Sequence, residues 1–147
     1  MREALAQAQL AAKLGEVPVG AVVVVNGEII SRAHNTVEKQ HDASCHAEVL
    51  ALQEASAKLE SWRLVEAALY VTMEPCTMCF GAIVNFRVGE LYFGCHDLRH
   101  GAVGSLYDLS ENLNHIHKLK VYPQLLETPC REIVQEFFRV KRESLNE

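Results

Sequence analysis

Two short runs, thirty positions apart, hold the residue types most able to do chemistry: His46-Ala47-Glu48 and Pro75-Cys76-Thr77-Met78-Cys79. Cys76 and Cys79 are three apart, which on a helix puts them on one face and lets both reach a single ion at a Zn–S distance of about 2.3 Å. Proline is favoured in the first turn of a helix, so Pro75 marks a helix start, and the positive N-terminus there favours the thiolate form that a metal needs. His46 supplies a third ligand. A fourth tetrahedral position then stays open for water, which separates catalytic from structural zinc sites. Glu48 stands two residues from His46, a spacing at which helical side chains point different ways, so it lies beside the water rather than on the ion. Two thiolates already neutralise Zn²⁺ and acidify the water less than three imidazoles would; a carboxylate that accepts and later delivers the proton is therefore required.

Positioning these residues takes alternating elements. Residues 2–15 carry Leu5, Ala8 and Ala12 at helical spacing and stop at Gly15, predicting a helix with a glycine C-cap. Val19–Val25 is a continuous β-branched run that predicts a strand covered on both faces, joined through Asn26-Gly27 to Ile29-Ile30 as a hairpin with a type I′ turn. Residues 34–44 are polar and loop-like. The segment 45–59 predicts a helix with Val49, Leu52, Ala55 and Leu59 inward. Ala67–Thr72 is a strand, Pro75 opens a helix to Phe86, and Val88–Phe93 is a strand. A glycine-rich loop over 94–105 follows. Val121–Leu126 makes a weaker strand because of Pro123, and Thr128-Pro129 cap a last helix with Ile133, Phe137 and Val140 inward. The alternation predicts an α/β domain of three layers, α/β/α, around a five-stranded mixed sheet, spanning 1–147 as one unit.

Composition narrows the setting. A 49% apolar and 22% charged chain is ordinary globular usage. No apolar run approaches the roughly 20 residues that span a bilayer, and residues 1–7 lack the pattern of a secretory signal, so a cytoplasmic location is expected. Five cysteines, unevenly spaced, do not read as a disulfide framework. Cys45, Cys95 and Cys130 read as buried small apolar residues, and Trp62 as a packing residue. The net charge of −5 opposes indiscriminate binding to phosphate, but residues 117–142 hold six basic against three acidic side chains, a local +3 that leaves −8 elsewhere.

Cys-x-x-Cys alone could be a redox pair, and a lone histidine at a helix start could be a cap. Together the two runs form the known H-x-E and P-C-x-x-C signature of zinc deaminases acting on nucleobases, matched here rather than derived. Over nearly its whole length the chain is similar to the bacterial tRNA-specific adenosine deaminases of the cytidine-deaminase-like superfamily. The likeness rests on Glu16-Val17-Pro18-Val19-Gly20-Ala21, Asn35, His41-Asp42, Cys45-His46-Ala47-Glu48, Leu69 to Cys76, Gly81-Ala82-Ile83, Phe93-Gly94, Asp97 and Gly101-Ala102-Val103-Gly104-Ser105. The resemblance implies hydrolysis of the first anticodon adenosine to inosine and one Zn²⁺ per subunit held by His46, Cys76 and Cys79, with Glu48 as proton shuttle. It also implies a homodimer that frames a tRNA anticodon stem-loop, with no membrane or DNA partner. Asn35 is then a contact to the target nucleoside and Asp97 to the neighbouring ribose or backbone, while Phe138, Arg139 and Arg142, with Lys141, belong to a helix that touches the RNA. Two rivals stay open at this point: a deaminase of a free base or nucleoside of guanine or cytosine type, and a non-catalytic zinc-stabilised binding subunit.

The charge asymmetry yields a test. If the basic C-terminal segment meets phosphates, binding of an anticodon hairpin weakens steeply as salt rises, since each neutralised phosphate releases counterions; a salt-independent affinity contradicts it.

Overall fold

The computed structural model describes residues 1–112 and 114–146, so Leu113 and Glu147 of the expected domain lie outside the described residues. The valine run becomes β1 (Gly20–Val25), whose first four residues are buried on both faces, and the hairpin returns as β2 (Glu28–His34). Asn26 and Gly27 both take positive φ, +51° and +78°, as a type I′ turn demands. β1 also pairs antiparallel with β3 (Ala67–Met73), which runs parallel to β4 (Glu90–Cys95), and β4 runs parallel to β5 (Lys120–Tyr122). The sheet order is β2-β1-β3-β4-β5. Helices α1 (Arg2–Lys13) and α5 (Glu127–Leu145) cover one face, while α3 (Ala47–Leu59) and α4 (Thr77–Asn85) cover the other. The three layers of the expected architecture are present. The main core lies between the sheet and α3/α4, built from Ala21, Val23, Leu69, Val71, Leu91 and Phe93 against Leu52, Phe80 and Ile83.

Helix α1 ends as its glycine predicts: Gly15 adopts φ +77°, and the bonds Gly15 N–H to Ala12 O (3.1 Å) and Glu16 N–H to Ala11 O (3.0 Å) close a Schellman motif. Several expectations need correction. The 34–44 stretch is not all loop: β2 runs to His34, and a four-residue helix, α2 (Val37–Gln40), follows. Its free N–H groups are capped from outside, Glu38 N–H and Lys39 N–H donating to the Glu16 carboxylate at 3.1 and 2.7 Å, a partner no local pattern announces. Helix α4 begins at Thr77 with Cys76 as N-cap, so Pro75 precedes the helix. Helix α5 begins earlier than expected, at Glu127, with Thr128 and Pro129 inside its first turn. Of its expected inward residues Ile133 and Phe137 are half-buried but Val140 is exposed, because α5 lies over the sheet by its N-terminal part, where Cys130 packs against Gly94.

The inward face of α3 is Ala47, Glu48, Ala51, Leu52 and Ala55, with Val49 half-buried and Leu59 exposed. Hydropathy alone excludes a glutamate from an inward face; here the site requires it. Trp62, expected as a packing residue, is 51% exposed, with Arg63 and Arg87 over its ring at 4.8 and 5.6 Å, an arrangement that cation–π attraction stabilises at the surface. Among the described residues no helix is long and apolar enough to cross a membrane.

Helix α1 approaches β1 closely at Gly20, where a Cβ would lie 2.5 Å from Ala8 N and 2.7 Å from Gln7 Cβ. Gly20→Ala must lift the helix off the sheet, and urea unfolding is expected to show a loss of about 1–3 kcal/mol. An unchanged midpoint would contradict this packing.

Candidate active site

All the connections that carry the motifs leave one edge of the sheet. The antiparallel pairing of β1 with its neighbours puts the start of β1 at the same edge as the ends of β2, β3 and β4, with Gly20 opposite His34 and Met73 opposite Cys95. Residues 16–19, Asn35, 74–76 and 96–105 therefore gather there. The C-terminal edge of parallel strands is the usual place for a ligand in such sheets.

His46 is the N-cap of α3 and Cys76 the N-cap of α4, with Cys79 one turn into α4. Their donor atoms converge: Cys79 Sγ lies 3.3 Å and Cys76 Sγ 3.7 Å from His46 Nδ1, and all three atoms fall within 4.8 Å of one another. Bonds of about 2.3 Å to sulfur and 2.0 Å to nitrogen at tetrahedral angles separate donors by about 3.5–3.8 Å, so the set fits one zinc ion. Among the described residues no fourth His, Cys or carboxylate joins these three donors, which leaves one tetrahedral corner free of protein ligands. Glu48, in the first turn of α3, is 4% exposed, and its carboxyl reaches the Cys79 thiol.

The protonation pattern without metal has clear causes. A hydrogen bond from Cys79, helped by the His46 ring, pulls the Cys76 thiol down to about 4 against burial, which opposes ionisation. The hydrogen bond to Cys76 and burial push Cys79 the other way, so one proton stays on this sulfur. The Cys76 sulfur raises His46 in turn. Burial raises the Glu48 carboxyl above the ordinary carboxylate range, a shift that suits a group which must both accept and release a proton near neutrality.

The other expected site residues divide. Asn35 is buried at the same edge; its Nδ2 donates to Val17 O at 3.4 Å, while its Oδ1 is buried without a partner. Such an acceptor, left open beside the donor cluster, is ready for an N–H or O–H of a ligand. Asp97 uses Oδ1 to accept from Arg99 N–H (3.0 Å) and His100 N–H (3.2 Å), so its first task is to fold its own turn. Phe138, Arg139 and Arg142 lie on the last turns of α5 and share no hydrogen bond with the His46 cluster among the described residues. Phe138 is 38% exposed, and Arg139 is held by Glu136 (2.7 Å) and Glu143 (2.6 Å). Cys95 and Cys130 are buried as expected, and burial raises their thiols to about 11 and 12; Cys45 is only half-buried.

Two residues given no role by the sequence reading prove central to the site's frame. Glu16 holds α2, and Glu74, 3% exposed, gathers the 96–105 segment. Both stand in stretches that carry the family likeness, 16–21 and 69–76, but nothing in type or spacing distinguishes a buried anchoring carboxylate from a solvated one. Burial pushes Glu74 up, yet hydrogen bonds from Ser105, Val103 and His96 outweigh it and hold the carboxyl below its usual range.

Fold and donor set together define a deaminase domain of the cytidine-deaminase-like class. The family model of the MafB19-like deaminases matches residues 1–142. The chain is 45% identical to a tRNA-specific adenosine deaminase of Bacillus subtilis over 97% of its own length and 88% of that relative. A solved structure from a study of A-to-I editing by tRNA:A34 deaminases superposes with a TM-score of 0.87 at 40% identity, covering 90% of this chain and 96% of the other. Guanine deaminase from Bacillus subtilis is less similar, with a TM-score of 0.62 and 34% identity over 65% of this chain and 61% of its own. The chain belongs to the tRNA-specific adenosine deaminase family.

The thiol pattern can be tested directly. A depressed thiol keeps its charge as pH falls, so the stabilisation from the Cys76 thiolate is complete above pH 9 and is lost as pH drops toward 4. Alkylation of metal-free protein at pH 6, read by peptide mass mapping, is expected to label Cys76 and to spare Cys79, Cys95 and Cys130; equal labelling would refute the assignment.

Proposed function

We propose that the protein is a zinc-dependent hydrolase that converts adenosine to inosine at the first anticodon position of tRNA, as a cytoplasmic homodimer of single-domain subunits. The observation that carries this reading is the convergence of His46 Nδ1, Cys76 Sγ and Cys79 Sγ beside a buried Glu48. Membership of the tRNA-specific adenosine deaminase family supports the substrate.

His46, Cys76 and Cys79 would hold one Zn²⁺, which supplies a Lewis acid that makes water nucleophilic at the amino-bearing carbon of the base. Glu48 does the proton work: its carboxylate accepts a proton from the attacking water, hands it to the ring nitrogen, and serves the departing amino group, which leaves as ammonia. Adenosine and water are thus converted to inosine and ammonia. Burial of Glu48 keeps bulk water from exchanging that proton. The open Oδ1 of Asn35 accepts from the target nucleoside, and Asp97 meets the neighbouring ribose or backbone. Phe138 offers stacking to the splayed bases of the loop and Arg142 a phosphate contact, while Arg139 joins it when a phosphate displaces the exposed Glu136 and Glu143 from its guanidinium. Extrusion costs little in a hairpin loop, where the adenosine has no partner strand.

Incubation of the purified protein with an anticodon stem-loop carrying adenosine at its first anticodon position is expected to yield inosine, with free adenosine, adenine, guanine and cytosine left intact. Turnover of free guanine instead would move the protein to the rival activity. Glu48→Ala is expected to retain one zinc per subunit by elemental analysis while kcat falls by at least about 10²-fold; a folded variant that loses its zinc would show Glu48 to be a ligand.

A further inference from the structure

The Glu74 carboxylate takes no part in the chemistry above, yet five hydrogen bonds converge on it, all from one segment. Oε1 accepts from Asp97 N–H (3.2 Å), from His96 Nδ1 (3.0 Å) and from the Ser105 hydroxyl; Oε2 accepts from Val103 N–H (2.9 Å) and Ser105 N–H (3.1 Å). A carboxylate this deeply buried persists only where donors replace the water it has lost. The segment closes so tightly around it that a Cβ at Gly101 would fall on the carboxylate itself.

The same segment is fastened to the start of α4. Ala102 N–H donates to Pro75 O at 2.9 Å, Gly101 forms a β-bridge with Cys76, and the Thr77 hydroxyl bonds the Tyr107 hydroxyl. Glu74 therefore ties a rim to the cluster two residues away. That rim turns Leu98 (81% exposed), Arg99 and His100 outward beside Asp97. A guanidinium, an imidazole and an exposed apolar side chain on a stiff turn suit a polynucleotide, whereas a free nucleoside needs no such rim.

We infer that Glu74 is a positioning residue for the RNA substrate: by holding residues 96–105 against the start of α4 it preorganises the surface that grips the anticodon loop around the target base. The inference rests on the RNA reading given above. It assigns Glu74 an effect on binding of the stem-loop and none on proton transfer.

Four variants of the zinc-loaded full chain test this: Glu74→Gln, which turns an amide NH₂ toward N–H donors; Gly101→Ala, which displaces the carboxylate without changing charge; and Ser105→Ala beside the hydroxyl-keeping Ser105→Thr. For Glu74→Gln and Gly101→Ala the expected result is a KM and Kd for the stem-loop raised by roughly tenfold or more, with kcat and zinc content within about threefold of the parent. Hydrogen exchange at the Asp97, Val103 and Ser105 amides is expected to speed up in both, while that of α4 stays unchanged. Ser105→Ala is expected to raise KM less, and Ser105→Thr to restore it; this pair decides the matter if the buried variants do not fold. A fall in kcat or zinc at unchanged KM would make Glu74 a prop of the metal site and overturn the inference, as would unchanged KM and exchange throughout. A parent protein inert on the stem-loop sinks the RNA reading instead, and the amide exchange then still reports whether Glu74 holds the segment.

Discussion

The structure depends on one constraint: two helix N-termini must face each other across a gap the width of a single ion. His46 and Cys76 are both N-caps, each with extended backbone before its helix, so their side chains project from the helix ends rather than from the sides. Neither helix could be shifted by a residue without carrying its ligand out of range. The sheet enforces the spacing, because β3 feeds α4 directly and α3 packs across β1 and β2, where the Ser31 hydroxyl donates to Ala51 O at 2.7 Å from within the core. Burial of Glu48 follows from the same geometry. At the second position of α3 it lies on the buried face of the helix with Ala47, Ala51, Leu52 and Ala55.

Around that gap the loops are fixed by buried acids rather than by apolar contacts. Glu16 holds the helical turn after Asn35, and Glu74 holds the segment after β4. Loops exposed to solvent on one side have few side chains to pack, so a carboxylate with several N–H donors is an economical way to stiffen them. Both acids stand at the same sheet edge, one before β1 and one after β3. The sheet edge that carries the donor cluster thus has two segments, α2 and residues 96–105, whose shape internal hydrogen bonds set.

Much of this was legible in the residues. The hairpin followed from valine and Asn26-Gly27, the end of α1 from Gly15, and the donor set from the spacing of Cys76 and Cys79 with His46 and Glu48, since each signal is local. What escaped reading is what depends on distant partners. Helix α2 is capped by a side chain more than twenty residues away, so a polar stretch gave no sign of it. Hydropathy finds Leu52 and Ala55 on the inward face of α3 but not Glu48, because a buried glutamate serves the site at the expense of hydropathy. Trp62 reads as a packing residue, but what lies over its ring is two arginines at the surface, which no sequence pattern pairs with it. Arg139 carries the charge an RNA contact needs, but the sequence did not reveal that Glu136 and Glu143 already occupy its guanidinium.

The antiparallel insertion of β1 sends every chemically engaged connection to one rim of the sheet. The opposite rim keeps the Asn26-Gly27 turn, the crossing from α3 to β3 and the short link from α4 to β4, where Gly89 N–H donates to Ala67 O at 3.1 Å. Those turns hold the scaffold together and carry none of the three donors His46, Cys76 and Cys79. The molecule therefore has a working pole and a silent one, and the silent pole is a natural address for a tether, a label or a grafted domain.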